Sequence, residues 1–169
     1  MNNFKNLQGH EGVEKLKSLA EAIKICLFST NLKTNEGATS RPMTALEVDE
    51  EGNLWFFSGK DSDKNREIED DKNVQLMFAH PGKSSYMIVN GEAEITVDRQ
   101  KIEEFWSPLE EIWFKQGKND PNISLLKVVP KSAYYWDTDG NKMINFFKMV
   151  ASVVAGKDLV DSEQGTIKV

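Results

Sequence analysis

The sequence predicts a mainly β fold: a small antiparallel β-barrel of six or seven strands with helices packed outside it. Short runs rich in β-branched and aromatic residues recur between turns built on glycine, proline and asparagine. Ala93, Ile95 and Val97 alternate with Glu92, Glu94 and Thr96, the period-two pattern of a strand with one buried and one wet face. No helix long enough for a βαβ crossover separates the early strands, which disfavours a parallel sheet.

Residues 12–22 carry Val13, Leu16, Leu19 and Ala20, continued by Ile23, at three- and four-residue steps, the stripe of an amphipathic helix. Residues 23–29 (IKICLFS) form the first strand, and the polar segment 30–37 loops into an extended stretch over 40–48. Gly52 accepts positive φ and turns the chain into a short apolar strand over 54–58 (LWFFS). A helix follows over 63–71 with Ser62 as N-cap. Residues 74–79 are a strand closed by His80-Pro81-Gly82, where His80 reads as a turn residue. Over 85–97, Asn90-Gly91 fits either a type I′ hairpin turn or a bulge in one long bent strand. Residues 98–106 form a short helix with Ile102, Phe105 and Trp106 on one side. Trp113 and Phe114, beside the polar loop 115–122, suit a ligand lid, a subunit contact or a small satellite core. Two more strands are expected over 123–129 and 133–137, around Pro130-Lys131. A largely apolar helix over 143–155 ends at Gly156, closing a single domain over 1–156. The remainder, 157–169, reads as a polar, loosely held tail.

The stretch 40–67 has the parts of a site for a phosphorylated aromatic ligand. A helix entrance offers unpaired N–H groups and the positive end of a dipole. Lys64 and Arg41 could add full positive charges, and Trp55-Phe56-Phe57 a flat apolar surface. Asp61 and Asp63 in the same loop would repel a phosphate, so a buried hairpin with a merely capped helix and a solvated lysine fits the same residues.

A net charge of −6 with no dense basic patch argues against a nucleic-acid partner. No apolar run approaches the roughly 20 residues of a membrane span. The first twelve residues contain no apolar signal region, and the single cysteine, Cys26, fits a reducing compartment, so a cytoplasmic location is expected. Cys26 reads as a small core residue beside Ile25 and Leu27, and two histidines without a Cys or His cluster argue against structural zinc.

Five segments, taken together and in order, resemble the flavin-binding split-barrel superfamily that includes pyridoxamine 5′-phosphate oxidase, and within it the general stress protein branch. They are Ser40-Arg41-Pro42-Met43; Leu54-Trp55-Phe56-Phe57-Ser58 followed by Ser62-Asp63-Lys64; Val89-Asn90-Gly91-Glu92-Ala93; Trp113-Phe114 with Gly117 and Asp120-Pro121; and Ala133-Tyr134-Tyr135-Trp136-Asp137. The resemblance implies a split barrel with FMN held at a homodimer interface. Arg41, Pro42 and Met43 would line the isoalloxazine ring, largely through backbone groups. Phe56, Phe57 and Ser58 would follow the ribityl chain, and Ser62 and Lys64 would hold the phosphate. Trp113 and Trp136 would approach from the partner chain or the far wall. The glycine-bearing strand is continuous and bent in that superfamily, which favours the bulge at Gly91. Two departures stand out: Lys115 follows Trp113-Phe114 where the branch often has proline, and residues 137–142 lack the Arg-x-His motif that grips the substrate phosphate in the vitamin-synthesising oxidases. Pyridoxamine phosphate oxidation is therefore not expected.

These readings lead to a flavin-dependent oxidoreductase with a small-molecule electron donor or acceptor, no side chain being assigned as acid or base. The rivals are a non-catalytic flavin-binding stress module, and a flavin-free interaction domain dimerising through Trp113 and Phe114. A heme or deazaflavin ligand is the remaining alternative, since fold alone does not fix the cofactor.

Overall fold

The computed structural model describes residues 3–137 and 163–168. Two short strands, β1 (Asn3–Phe4) and β2 (Leu7–Gln8), precede helix α1 (Gly9–Ile23), which buries Val13, Leu16, Leu19 and Ala20 as its spacing predicts. Lys24, at φ 64°, ends the helix and donates its backbone N–H to the Ala20 carbonyl at 2.7 Å. There follow β3 (Ile25–Thr30), β4 (Thr39–Thr44), β5 (Glu47–Val48), β6 (Leu54–Gly59), α2 (Asp63–Asp70), β7 (Asn73–His80), β8 (Ser85–Thr96), α3 (Arg99–Phe105), β9 (Ile123–Asp137) and β10 (Glu163–Lys168).

The strands form one sheet in the order β1-β10-β9-β8-β7-β3-β4, with β6 paired to the first part of β9 and β5 to β6. β8 and β9 run together from Tyr86↔Trp136 to Thr96↔Leu125. β9 passes from β6 on one flank (Ile123–Val128) to β10 on the other (Ala133–Asp137). The sheet rolls up without closing, because β4 and β5 are paired neither to each other nor across the gap.

Four expectations are corrected here. The segments 123–129 and 133–137 are one continuous strand rather than two. Lys131 is the extra residue of a bulge, since the register passes from Asn90↔Ser132 directly to Gly91↔Pro130, and a bulge is where a sheet tolerates proline. The stretch 40–48 is broken into β4 and β5, so Arg41–Met43 pair with β3 and only Glu47–Val48 pair with β6. Within the supposed tail, residues 163–168 form β10, antiparallel to β9 and parallel to β1 and β2, which makes the sheet mixed. The barrel is open rather than closed. The expected helix over 143–155 and its cap at Gly156 lie outside the described residues.

Phe28 and Phe56 meet edge to face, centroids 5.2 Å apart, inside the rolled sheet, with Leu54, Leu76, Phe78, Met87, Leu126 and Tyr135 buried around them. A second core lies on the opposite face of β6 and β9, where Trp55, Ile123 and Leu125 are covered by Ile102 of α3 and by Phe114. Lys15 of α1 bonds Asp137 at 2.6 Å and lies 3.4 Å from Glu163, which accepts from the Tyr135 hydroxyl at 2.8 Å, fastening α1, β9 and β10 together.

A Cβ on Gly91 would stand 2.4 Å from the Val129 carbonyl oxygen, which accounts for glycine at the bulge. Gly91→Ala is expected to lower stability by about 1–3 kcal/mol through this overlap; urea unfolding checks it, and a wild-type midpoint would refute the packing account.

Candidate functional site

Beside the unpaired edge of β4, the ends of β3 and β6 and the first turns of α2 bring their polar side chains together. Ser62 caps α2, its hydroxyl accepting from the Asn65 N–H at 3.3 Å. The Lys64 ammonium turns back to donate to the Ser58 hydroxyl at 2.6 Å and the Ser62 hydroxyl at 3.4 Å. Arg41, on the inward side of β4 opposite Phe28, donates to Thr30 Oγ1 and to Glu67, both at 2.8 Å. Thr30 in turn donates to the same Glu67 oxygen at 2.5 Å. Burial pushes the Lys64 ammonium down to about 8, the positive charge of Arg41 adds to the effect, and Glu67 opposes it. Glu67 is held below the usual carboxylate range: burial works against its charge, but the bonds from Thr30 and Arg41 outweigh burial. The result is two cations facing one carboxylate at a helix entrance, an arrangement with spare positive charge for an anion. The bland alternative of a solvated lysine is not what the structure shows. Asp61 and Asp63 are exposed to solvent, and Asp63 pairs with Arg66 at 2.7 Å.

The remaining expected residues are distributed differently. Phe56 is fully buried in the main core, so its side chain offers no surface to a ligand. Phe57 turns to the opposite face and packs against Trp106 and Phe114. Of the aromatic pair, Phe114 belongs to that satellite core while Trp113 is 76% exposed, so the alternatives divide between neighbours. Met43 packs against the main core, partly buried. Pro42 and Trp136 lie on the outward face of the sheet at opposite ends of the β4-β3-β7-β8-β9 series.

That outward face is banded. One row has Thr44 beside Ile25 on β4 and β3, and Ala79, Tyr86 and Trp136 side by side on β7, β8 and β9; the next, across all five strands, is Pro42, Leu27, Met77, Ile88 and Tyr134. Ile25 is 58% exposed and Leu27 46%, with Tyr86 and Trp136 also open, an apolar strip unusual on a monomer. The third row, Ser40, Ser29, Gln75, Asn90 and Ser132, is polar, with Ser29 and Ser40 bonded at 2.7 Å and Gln75 donating to Asn90 at 2.9 Å. It is followed along β3 and β4 by Thr30 and Arg41, whose side chains turn to the inner face, so the polar end of the outward face borders the cationic cradle on the other side of the sheet.

Sequence reasoning missed Thr30, Glu67, Asn65 and Ser124. Asn65 is buried, accepts from Ser58 at 2.6 Å and from Ser62 at 3.2 Å, and donates to Ser124 at 3.1 Å. Its only signal was a position three residues past the cap; Glu67 and Thr30 meet through tertiary register alone. Cys26 is buried, and desolvation pushes its thiol up to about 12, so it is an inert core residue as expected. Among the described residues no cluster of three His, Cys, Asp or Glu side chains could hold a metal, and no helix is long and apolar enough to cross a membrane.

An open, mostly β roll with a cationic cradle at a helix entrance defines a split-barrel protein. Residues 11–161 match the family model described as pyridoxamine 5′-phosphate oxidase like, and the chain belongs to that family. Among solved structures it is similar to a candidate general stress protein 26 from Jannaschia sp. CCS1, at 22% identity and TM-score 0.74, covering 95% of this chain and 96% of that one. General stress protein 26 from Bacillus anthracis str. Sterne is 26% identical with TM-score 0.64, over 73% and 92% of the two chains. A general stress FMN/FAD binding protein from Xanthomonas citri is 24% identical with TM-score 0.63, over 77% and 90%. No curated protein matches the chain.

Proposed function

We propose that this chain is a flavin-binding protein of the general stress type, that its flavin is FMN, and that it works as a homodimeric oxidoreductase on a small-molecule electron donor or acceptor. The observation that carries the reading is the convergence of the Lys64 and Arg41 cations at the α2 entrance, with Ser58 and Ser62 seating the lysine, an arrangement suited to a phosphate monoester. Lys64 and Arg41 would hold the phosphate, with Ser62 beside them and Ser58 nearest the ribityl chain. The edge strand β4 would present Arg41, Pro42 and Met43 backbone groups to the ring. The bound flavin would supply electron transfer, and the protein its orientation and electrostatics. The Xanthomonas citri relative, named for FMN/FAD binding, supports the cofactor class.

The homodimer reading is supported by the two apolar rows, an exposed patch that a second copy can cover with the same surface. Trp136 and Trp113 are the exposed aromatics such a partner could bring toward the ring. Among the described residues, the carboxylate bonded within the cradle is Glu67, and it is committed to Arg41 and Thr30. With that carboxylate tied up in the cradle, the non-catalytic flavin module stands as the second reading.

Fluorescence titration is expected to show Lys64→Ala weakening FMN by roughly tenfold or more, the scale of a charge-assisted hydrogen bond of about 1.5–3 kcal/mol, while riboflavin affinity stays unchanged. Wild-type FMN affinity should fall as pH rises past about 8, because the free Lys64 loses its proton there, whereas riboflavin affinity should not; equal FMN affinity in the variant would remove the phosphate assignment. Leu27→Lys should convert the dimer to monomer in sedimentation velocity, and a variant that still sediments as a dimer would move the interface elsewhere. In anaerobic stopped-flow with NADH or NADPH, bleaching of the flavin band supports the oxidoreductase; a flavin unreduced by either donor supports the module.

A further inference from the structure

Behind the cradle, hydrogen bonds run in one direction around a closed loop. Lys64 donates to the Ser58 hydroxyl at 2.6 Å, Ser58 to Asn65 Oδ1 at 2.6 Å, Asn65 Nδ2 to the Ser124 hydroxyl at 3.1 Å, and Ser124 to the Ser58 carbonyl at 2.9 Å. Each hydroxyl has one proton, so the direction is set by the fixed ends: an ammonium that can only donate and a carbonyl that can only accept. Ser62 joins the same loop, donating to Asn65 Oδ1 at 3.2 Å while accepting from the Asn65 N–H. Asn65 is 1% exposed and Ser124 fully buried, so neither touches a ligand arriving from solvent. An amide in this position is demanding. Its oxygen must take the two serine protons and its NH2 must face Ser124; a carboxylate could not donate to Ser124, and an apolar residue would take the acceptor from the Ser58 and Ser62 protons and the donor from the Ser124 oxygen.

We propose that Asn65 is the positioning residue of the anion subsite: by drawing the Ser58 and Ser62 protons inward it turns their lone pairs outward, so that both serines hold Lys64 and leave phosphate binding to the Lys64 and Arg41 cations. This rests on the flavin-phosphate reading for its purpose, though not for its geometry. The serines then act as the seat of the lysine rather than as phosphate donors, which differs from the role their position in the chain suggests. It also accounts for Lys64 lying folded against the protein, its charge opposed by Arg41 and favoured by Glu67, instead of extended into water.

The test uses the full chain, as wild type, Asn65→Ala and Ser124→Ala, with thermal melts to establish folding. The Lys64 amine is titrated without added flavin by acetic anhydride labelling read by mass spectrometry, and Kd values for FMN and riboflavin are measured in parallel. In Asn65→Ala the half-labelling pH of Lys64 should move up from about 8 toward the ordinary lysine value by roughly a unit. The preference for FMN over riboflavin should fall about tenfold with riboflavin binding unchanged. Ser124→Ala, which cuts the loop at its far end, should shift both readouts the same way by less, and serves if Asn65→Ala does not fold. A folded variant with the wild-type Lys64 profile overturns the proposal. Wild-type protein that binds riboflavin as tightly as FMN overturns the phosphate reading instead, and the labelling arm still decides whether Asn65 positions the lysine.

Discussion

The fold depends on the contact between Gly91 and the Val129–Pro130 backbone. β8 and β9 are long enough to serve two flanks, and a straight pair would leave one flat sheet. The extra residue at Lys131 bends the pair, and only glycine lets the two backbones approach at the bend. Beyond it β9 exchanges partners, from β6 to β10, so the bend allows one strand to belong both to the rolled core and to the terminal clasp. The roll stops short of closure, leaving β4 as an unpaired edge and the α2 entrance as an open mouth. The site is the gap that the bend does not close.

The electrostatics of that gap follow from burial as much as from charge. Arg41, Lys64 and Glu67 are each partly withdrawn from water, so their mutual fields are weakly screened. Glu67 takes up one cation, fixing Arg41 against Thr30, and Lys64 is left as the charge without a carboxylate. An ammonium so placed is held at the lower edge of its stability as a cation, and a phosphate is what would restore it. The cradle is therefore unfinished by itself, unlike the Lys15–Asp137–Glu163–Tyr135 group at the other end of the sheet, whose donors and acceptors satisfy one another.

Local patterning revealed those features that local chemistry controls. The α1 stripe, the Ser62 cap and the alternation in β8 were all legible, because each is decided within a few residues; at Asn90-Gly91 the residues left hairpin and bulge open, and only the family resemblance favoured the bulge. Pro130 was misread as a break because its tolerance depends on a partner strand forty residues away. β10 was misread as a tail because its polar composition says nothing about edges waiting to be paired. At the site, Lys64 and Arg41 could be named from residue type and position. Their partners could not: Thr30 reaches Glu67 only once β3 lies beside α2, and Ser124 reaches Asn65 only once β9 lies beside β6. The Trp55-Phe56-Phe57 surface was misjudged for a simpler reason. A strand between two cores sends successive side chains into each, so none of the three remains free for a ring.

The banding of the outward face bears on whether one chain could complete the site. Pro42 and Trp136 stand on strands four apart along the sheet, β4 and β9, so within one chain they belong to its opposite flanks. In the proposed two-fold pairing, the apolar rows of two copies meet, and Trp136 of one can approach the β4 edge of the other. Leu27 and Ile25, left exposed among the described residues, would then be buried at the step that builds the ring site. Assembly and ligand binding would share one surface, so flavin should favour the dimer as strongly as the dimer favours flavin.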